Sequence, residues 1–143
     1  MRYWDSSAIV PLLVAERRSA ALVAELERDP MVIAWWASAV ECVSAAARLE
    51  HDGALDPPAT RTAIERLDAL EMAWAEVQPS DQVRSLAIRL LRVHPLRAAD
   101  GLQLAAALVA AEGSPGSMAF VTLDERLALA AEREGLAVVV VGA

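Results

Sequence analysis

Four acidic residues, Asp5, Glu41, Asp100 and Asp124, carry the chemistry this sequence offers. Asp100 is the most telling. It stands in Leu-Arg-Ala-Ala-Asp-Gly-Leu-Gln-Leu-Ala-Ala-Ala (residues 96–107), a segment otherwise too apolar to face water. An ionised carboxylate there is costly unless something pairs with it. A divalent cation shared with the other acids would supply the partner. Carboxylates are hard oxygen donors, which select Mg²⁺ or Mn²⁺ over Zn²⁺. Ions so held would help deprotonate a bound water. Thr122, two residues before Asp124, is placed to hydrogen-bond a ligand carboxylate or a metal-bound water.

Each acid also has a purely structural explanation. Asp5-Ser6-Ser7 reads as a helix cap. Ser38 with Glu41, and Thr122 with Glu125, match capping boxes, and Thr122 reads as an N-cap. Asp100 and Asp124 would then only favour a helix dipole. Other chemistries lack their parts. There is no glycine-rich phosphate loop and no GxSxG elbow. The Asp-x-Asp pair of an aspartyl-nucleophile phosphatase is missing, because Asp5 is followed by two serines. His51 and His94 have no metal-ligand spacing, and Cys42, the one cysteine, allows neither an intrachain disulfide nor a thiolate cluster.

The elements that must position these acids follow from periodicity and punctuation. Residues 2–4 read as a strand ending at Asp5, and Ser6 and Ser7 as caps of a helix over 8–15. A second helix, 17–28, carries Ala20, Val23 and Leu26 on one face and ends at Asp29-Pro30. Residues 31–35 form an apolar strand. Ser38 opens a helix to about residue 50, Pro57-Pro58 starts another, and Ser80 caps one with Val83, Leu86, Ala87, Leu90 and Leu91 inward. His94-Pro95 breaks it. Residues 97–112 form a helix apolar nearly all round, hence buried. A strand over 118–121, a helix over 124–134, a stop at Gly135 and a strand over 136–141 complete the chain.

Strands alternating with helices predict an α/β fold, one domain over 1–143, with a parallel sheet covered on both faces. In such sheets the site lies beyond the carboxyl ends of the strands, where Asp5, Glu41 and Asp124 are expected. No run reaches the length of a membrane span, and Asp5 interrupts any signal-peptide pattern, so a cytoplasmic protein is expected.

Net charge is −7, which argues against a nucleic-acid binder. Two divalent ions would offset more than half of it. All 13 basic residues are arginine, a bias that fits a GC-rich genome. Arg84, Arg89, Arg92 and Arg97 lead toward Asp100 and offer either phosphate contacts or a solvated face; Arg48 and Arg126 are candidates to pair with the site acids when metal is absent.

Residues 3–10, Tyr-Trp-Asp-Ser-Ser-Ala-Ile-Val, resemble the opening motif of PIN domains. Residues 39–48 resemble the second motif, 94–107 the third and 121–136 the fourth, in order and over nearly the whole chain. The size is similar to that of VapC toxins, the nuclease halves of toxin–antitoxin pairs. The resemblance implies an αβα sandwich, metal ligands at Asp5, Glu41, Asp100 and Asp124, and a supporting role for Thr122. It further implies an Mg²⁺- or Mn²⁺-dependent endoribonuclease leaving 5′-phosphate and 3′-hydroxyl ends, an RNA substrate, a VapB-type antitoxin partner and a homodimer. Pro11 departs from the pattern, where relatives often carry Lys. Two rivals remain at this point: a PIN nuclease of RNA maturation, and a catalytically silent binding module.

Overall fold

The computed structural model describes residues 1–142. Five parallel strands form one sheet in the order β3-β2-β1-β4-β5. The strands are β1 (Arg2–Trp4), β2 (Val32–Trp35), β3 (Ala75–Val77), β4 (Ala119–Val121) and β5 (Ala137–Val138). From β1 the chain builds outward through β2 and β3, then returns to lay β4 and β5 on the other side. The strand order therefore reverses between β1 and β4, and crevices open at such switch points.

Side-chain alternation assigns the two faces. Tyr3, Ile33, Trp35 and Phe120 point into one core with α5 (Asp81–Val93), α6 (Ala98–Ala110) and α7 (Glu125–Arg133). Trp4, Val32, Ala34 and Val121 point into the other with α1 (Ser6–Leu13), α2 (Ser19–Arg28), α3 (Ser38–His51) and α4 (Pro57–Ala73). The result is the expected sandwich of helix, parallel sheet and helix. Tyr3 and Phe120, neighbours across β1 and β4, stack with ring centroids 5.5 Å apart. The apolar α6 is indeed buried, from Leu104 through Ala107 completely so. No helix among the described residues is long and apolar enough to cross a membrane.

Several elements differ from expectation, each for a local reason. Strand β3 was not foreseen: it is a three-residue edge with an exposed alanine and a glutamate, and it shows no alternation. The C-terminal strand is cut to two residues. In α2 the inward residues are Leu22 and Glu25, whereas Ala20 and Val23 are exposed. Glu25 is buried because Arg2 and Arg28 both reach it, at 2.7 and 2.8 Å. That ionic anchor turns the helix by about one position from the purely apolar choice. The α1 cap is Asp5 itself rather than either serine, and α3 has no side-chain cap.

Candidate active site

Asp5 leaves the end of β1 and caps α1. Its Oδ1 accepts from the Ser7 amide at 2.7 Å and its Oδ2 from the Ser7 hydroxyl at 2.8 Å. Ser7 Oγ lies 3.2 Å from Thr122 Oγ1 and accepts from the Leu123 amide at 2.9 Å. One small serine thus ties the ends of β1 and β4 together at the switch point. Burial pushes the Asp5 carboxyl above its ordinary value; hydrogen bonding with Thr122 and Ser7 restrains the rise, and the charge of Asp124 adds to it.

Glu41 sits in the first turn of α3. The capping box that Ser38 and Glu41 could have made does not form, for the Glu41 carboxylate is engaged elsewhere. It accepts from Ser6 Oγ at 3.3 Å and from Gln103 Nε2 at 2.8 Å. Gln103 is the residue that sequence reasoning missed. Almost completely buried on α6, it also accepts from the Tyr3 hydroxyl at 2.6 Å and donates to Ser38 Oγ at 3.0 Å. The signal was present: an amide in an otherwise apolar helix needs partners, just as Asp100 does. Burial raises the Glu41 carboxyl, and Asp5 and Asp100 raise it further against the Gln103 and Ser6 bonds.

Asp100 lies in the first turn of α6 and, among the described residues, makes no bond to another side chain. Burial holds its carboxyl above the ordinary value, with Asp124 adding repulsion and Arg97 opposing it. Asp124 caps α7, accepting from the Leu127 amide at 3.0 Å, while its own amide donates to Thr122 Oγ1 at 3.0 Å. Asp5 and Asp124 are therefore both helix caps, and Thr122 is not the α7 cap.

All four acids line one open pocket of about 460 Å³, together with Ser6, Ser7 and Arg48. Their convergence from β1, α3, α6 and α7 is the main geometric result. Among the described residues, no three metal-binding side chains are drawn close enough together to enclose an ion as they stand. The donor set nonetheless suits a hard divalent cation. It is all oxygen, faces solvent on one side, and carries mutual repulsion that Arg97 opposes at Asp100 without an ion pair. Arg48 and Arg126, expected as stand-in partners, form no ion pair with these acids. Two of the arginines on α5 are also committed elsewhere, Arg84 to Asp81 at 2.8 Å and Arg89 to Glu134 at 2.9 Å. His94 is structural: buried, it meets Glu134 at 2.7 Å and joins the ends of α5 and α7. Cys42 is a core residue whose thiol burial pushes up to about 12.

Sheet order, layering and a pocket at the β1/β4 switch point define an α/β fold of the PIN-like kind. Solved structures carry the same fold. FitAcB from Neisseria gonorrhoeae superposes with a TM-score of 0.67 at 20% identity, covering 96% of each chain. A toxin–antitoxin complex from Klebsiella pneumoniae gives 0.68 at 15% identity, over 98% of this chain and 97% of that one. VapC20 of Mycobacterium tuberculosis, a toxin that cleaves the sarcin–ricin loop, gives 0.66 at 14% identity, over 91% and 95%. No protein-family model matches the chain, and no curated protein matches its sequence. The likeness is one of fold.

Proposed function

We propose that the protein is a metal-dependent endoribonuclease and the toxin of a toxin–antitoxin pair. The observation that carries this reading is the convergence of Asp5, Glu41, Asp100 and Asp124 on one pocket at the switch point of a PIN-like sheet. The fold's company, which includes a toxin–antitoxin complex and an RNA-cleaving toxin, supports it. The four acids would hold one or two Mg²⁺ or Mn²⁺ ions. Such ions, when bound, lower the pKa of water and offset charge on phosphate and leaving oxygens.

The chain's own residues prepare that centre. Ser7 spends its amide and hydroxyl on Asp5, fixing the carboxylate plane. Thr122 braces Ser7 and the turn into Asp124. Gln103 holds Glu41 toward the pocket, and the buried Tyr3 hydroxyl fixes the orientation of the Gln103 amide. Val10 and exposed Val40 line the rim beside the acids, apolar ground for a VapB-type antitoxin segment that brings a cation to the pocket. A homodimer and a cytoplasmic location belong to the same reading.

RNA cleavage by the purified protein should require Mg²⁺ or Mn²⁺ and stop with EDTA or with Asp100→Ala. Expression should arrest growth, and co-expression of an adjacent small gene should relieve it. Undiminished cleavage in EDTA would overturn the mechanism. Absence of any toxicity would overturn the toxin role.

A further inference from the structure

An acidic protein that cuts RNA must hold a polyanion somewhere, and its net charge of −7 makes the location a physical question. Sharing Asp100 and Asp124 with the acid pocket is a second groove, of about 760 Å³, with Arg48, Arg97 and Arg126 around it and Glu125 as its one further carboxylate. Arg48 borders both. All three are exposed, and among the described residues none forms an ion pair with a carboxylate, although Arg2, Arg28, Arg84 and Arg89 all do. They come from three elements: Arg48 from late α3, Arg97 from the residue before α6, and Arg126 from the first turn of α7.

Backbone adds to this charge. Arg97 occupies the N-cap of α6, where its side chain has no acceptor to offer, and no side chain caps the helix. Ala99 in the first turn of this 13-residue helix lines the groove, and amides at a helix N-terminus that no side chain caps favour anions.

We propose that this groove seats the RNA backbone flanking the cut, with Arg48, Arg97 and Arg126 on phosphates next to the one at the acid pocket. The polyanion is RNA on the nuclease reading above; the arginines themselves read phosphodiester charge. Their forked donors match phosphate oxygens from three directions, which fixes where the strand leaves the acids. Arg48, common to both depressions, marks the path between them. The three arginines are positioning residues: they hold the strand and take no part in bond breaking.

The test uses the full chain and a labelled single-stranded RNA oligonucleotide. Affinity is measured against salt in EDTA, and steady-state cleavage in Mn²⁺. Arg48→Ala, Arg97→Ala and Arg126→Ala are compared with Arg133→Ala, an exposed arginine at the far end of α7. Each groove variant should bind several-fold more weakly and flatten the log–log salt slope by about 0.7, the increment for one phosphate on a single strand. Each should raise KM with little change in kcat, and single-stranded DNA should show the same loss of slope. Arg133→Ala should move none of these. Groove variants that match Arg133→Ala in slope and KM would overturn the proposal while leaving the nuclease standing. Arginine-dependent binding without any Mn²⁺-dependent cleavage would support the groove and remove the nuclease. Absence of RNA binding, or capture of a polyglutamate peptide in its place, would overturn the groove as an RNA seat.

Discussion

At the scale of single residues, the pocket is a set of carboxyls held against their own interest. Asp5, Glu41 and Asp100 all sit above their ordinary values, chiefly through burial and then through one another or Asp124. The folded protein therefore binds protons at these groups more tightly than the unfolded chain does. Between the ordinary values, 3.8 for the aspartates and 4.5 for the glutamate, and the raised native ones, folding takes up protons. Stability contributed there is present at the acid end of the window and is lost as pH rises through the native values. Asp29 and Glu134 work the other way. The amino terminus holds Asp29 low; Arg89 and His94 hold Glu134 low against its partial burial. Their contribution is present above the ordinary carboxyl range and is lost in stronger acid. Metal-free protein should thus melt highest at mildly acidic pH and lower at neutral pH. Asp5→Asn and Asp100→Asn should each raise the neutral Tm and flatten the profile, Asp5→Asn doing so with its cap intact, because Asn caps as well as Asp. Thermal unfolding in EDTA across pH checks this; a metal-free Tm that climbs steadily to neutral pH would contradict it.

At the scale of elements, α6 does the most. It carries Asp100 and Gln103 and packs more extensively against α5 than against any other element. Gly101 permits that approach. A Cβ there would lie 2.8 and 2.9 Å from Leu91 Cδ2 and Cγ, closer than side chains tolerate. Gly101→Ala gains up to about 1 kcal/mol of helix propensity and loses on the order of 1–3 kcal/mol to overpacking. The net effect should be a lower Tm, with activity falling further than stability because Asp100, one residue away, is displaced with the helix. Differential scanning calorimetry beside a cleavage assay reads both; a Tm above wild type would show that Leu91 yields freely. The same helix shows why so much was legible in the sequence. An acid in an apolar run is a conflict that only pairing resolves, and Asp100 does line one pocket with Asp5, Glu41 and Asp124. Less legible were features set by partners distant in sequence. The inward face of α2 depends on Arg2 reaching Glu25, β3 is a strand only because β2 lies beside it, and Ser7 and Gln103 matter through bonds to β4 and α3. The capping box offered as the rival reading of Ser38-x-x-Glu41 fits the local rule but does not form, because tertiary bonds claim both side chains.

At the scale of the whole molecule, the site draws its charge from distant parts of the chain. Four carboxylates line one pocket, and three arginines that form no ion pair among the described residues stand around the groove beside it, with Asp100, Asp124 and Glu125 between them. Such a pocket exists only in the folded chain, because its acids are scattered from residue 5 to residue 124 and meet where the ends of β1, α3, α6 and α7 come together. An ion that binds there binds the native state alone and must stabilise it. At a concentration about 100-fold above its Kd the contribution is about 2.7 kcal/mol, which for a domain of this size raises Tm by roughly 5–10 °C. Mn²⁺ should therefore lift the wild-type Tm by that order, with the largest gain at neutral pH, where the carboxyls are ionised, and a smaller one in mild acid. Asp100→Ala should lose most of the gain while its EDTA Tm matches or exceeds that of wild type, because the substitution also removes a repelled charge. Asp124→Ala separates the two roles of a capping acid. It should lose the Mn²⁺ gain and also drop in EDTA by about 1 kcal/mol, the worth of the lost bond to the Leu127 amide; Asp124→Asn should restore the EDTA Tm without restoring the gain. The measurement is thermal unfolding of all four proteins in EDTA and in Mn²⁺ at two pH values. A wild-type Tm that Mn²⁺ leaves unmoved, with Asp100→Ala less stable in EDTA, would reduce the acids to caps and dipole partners.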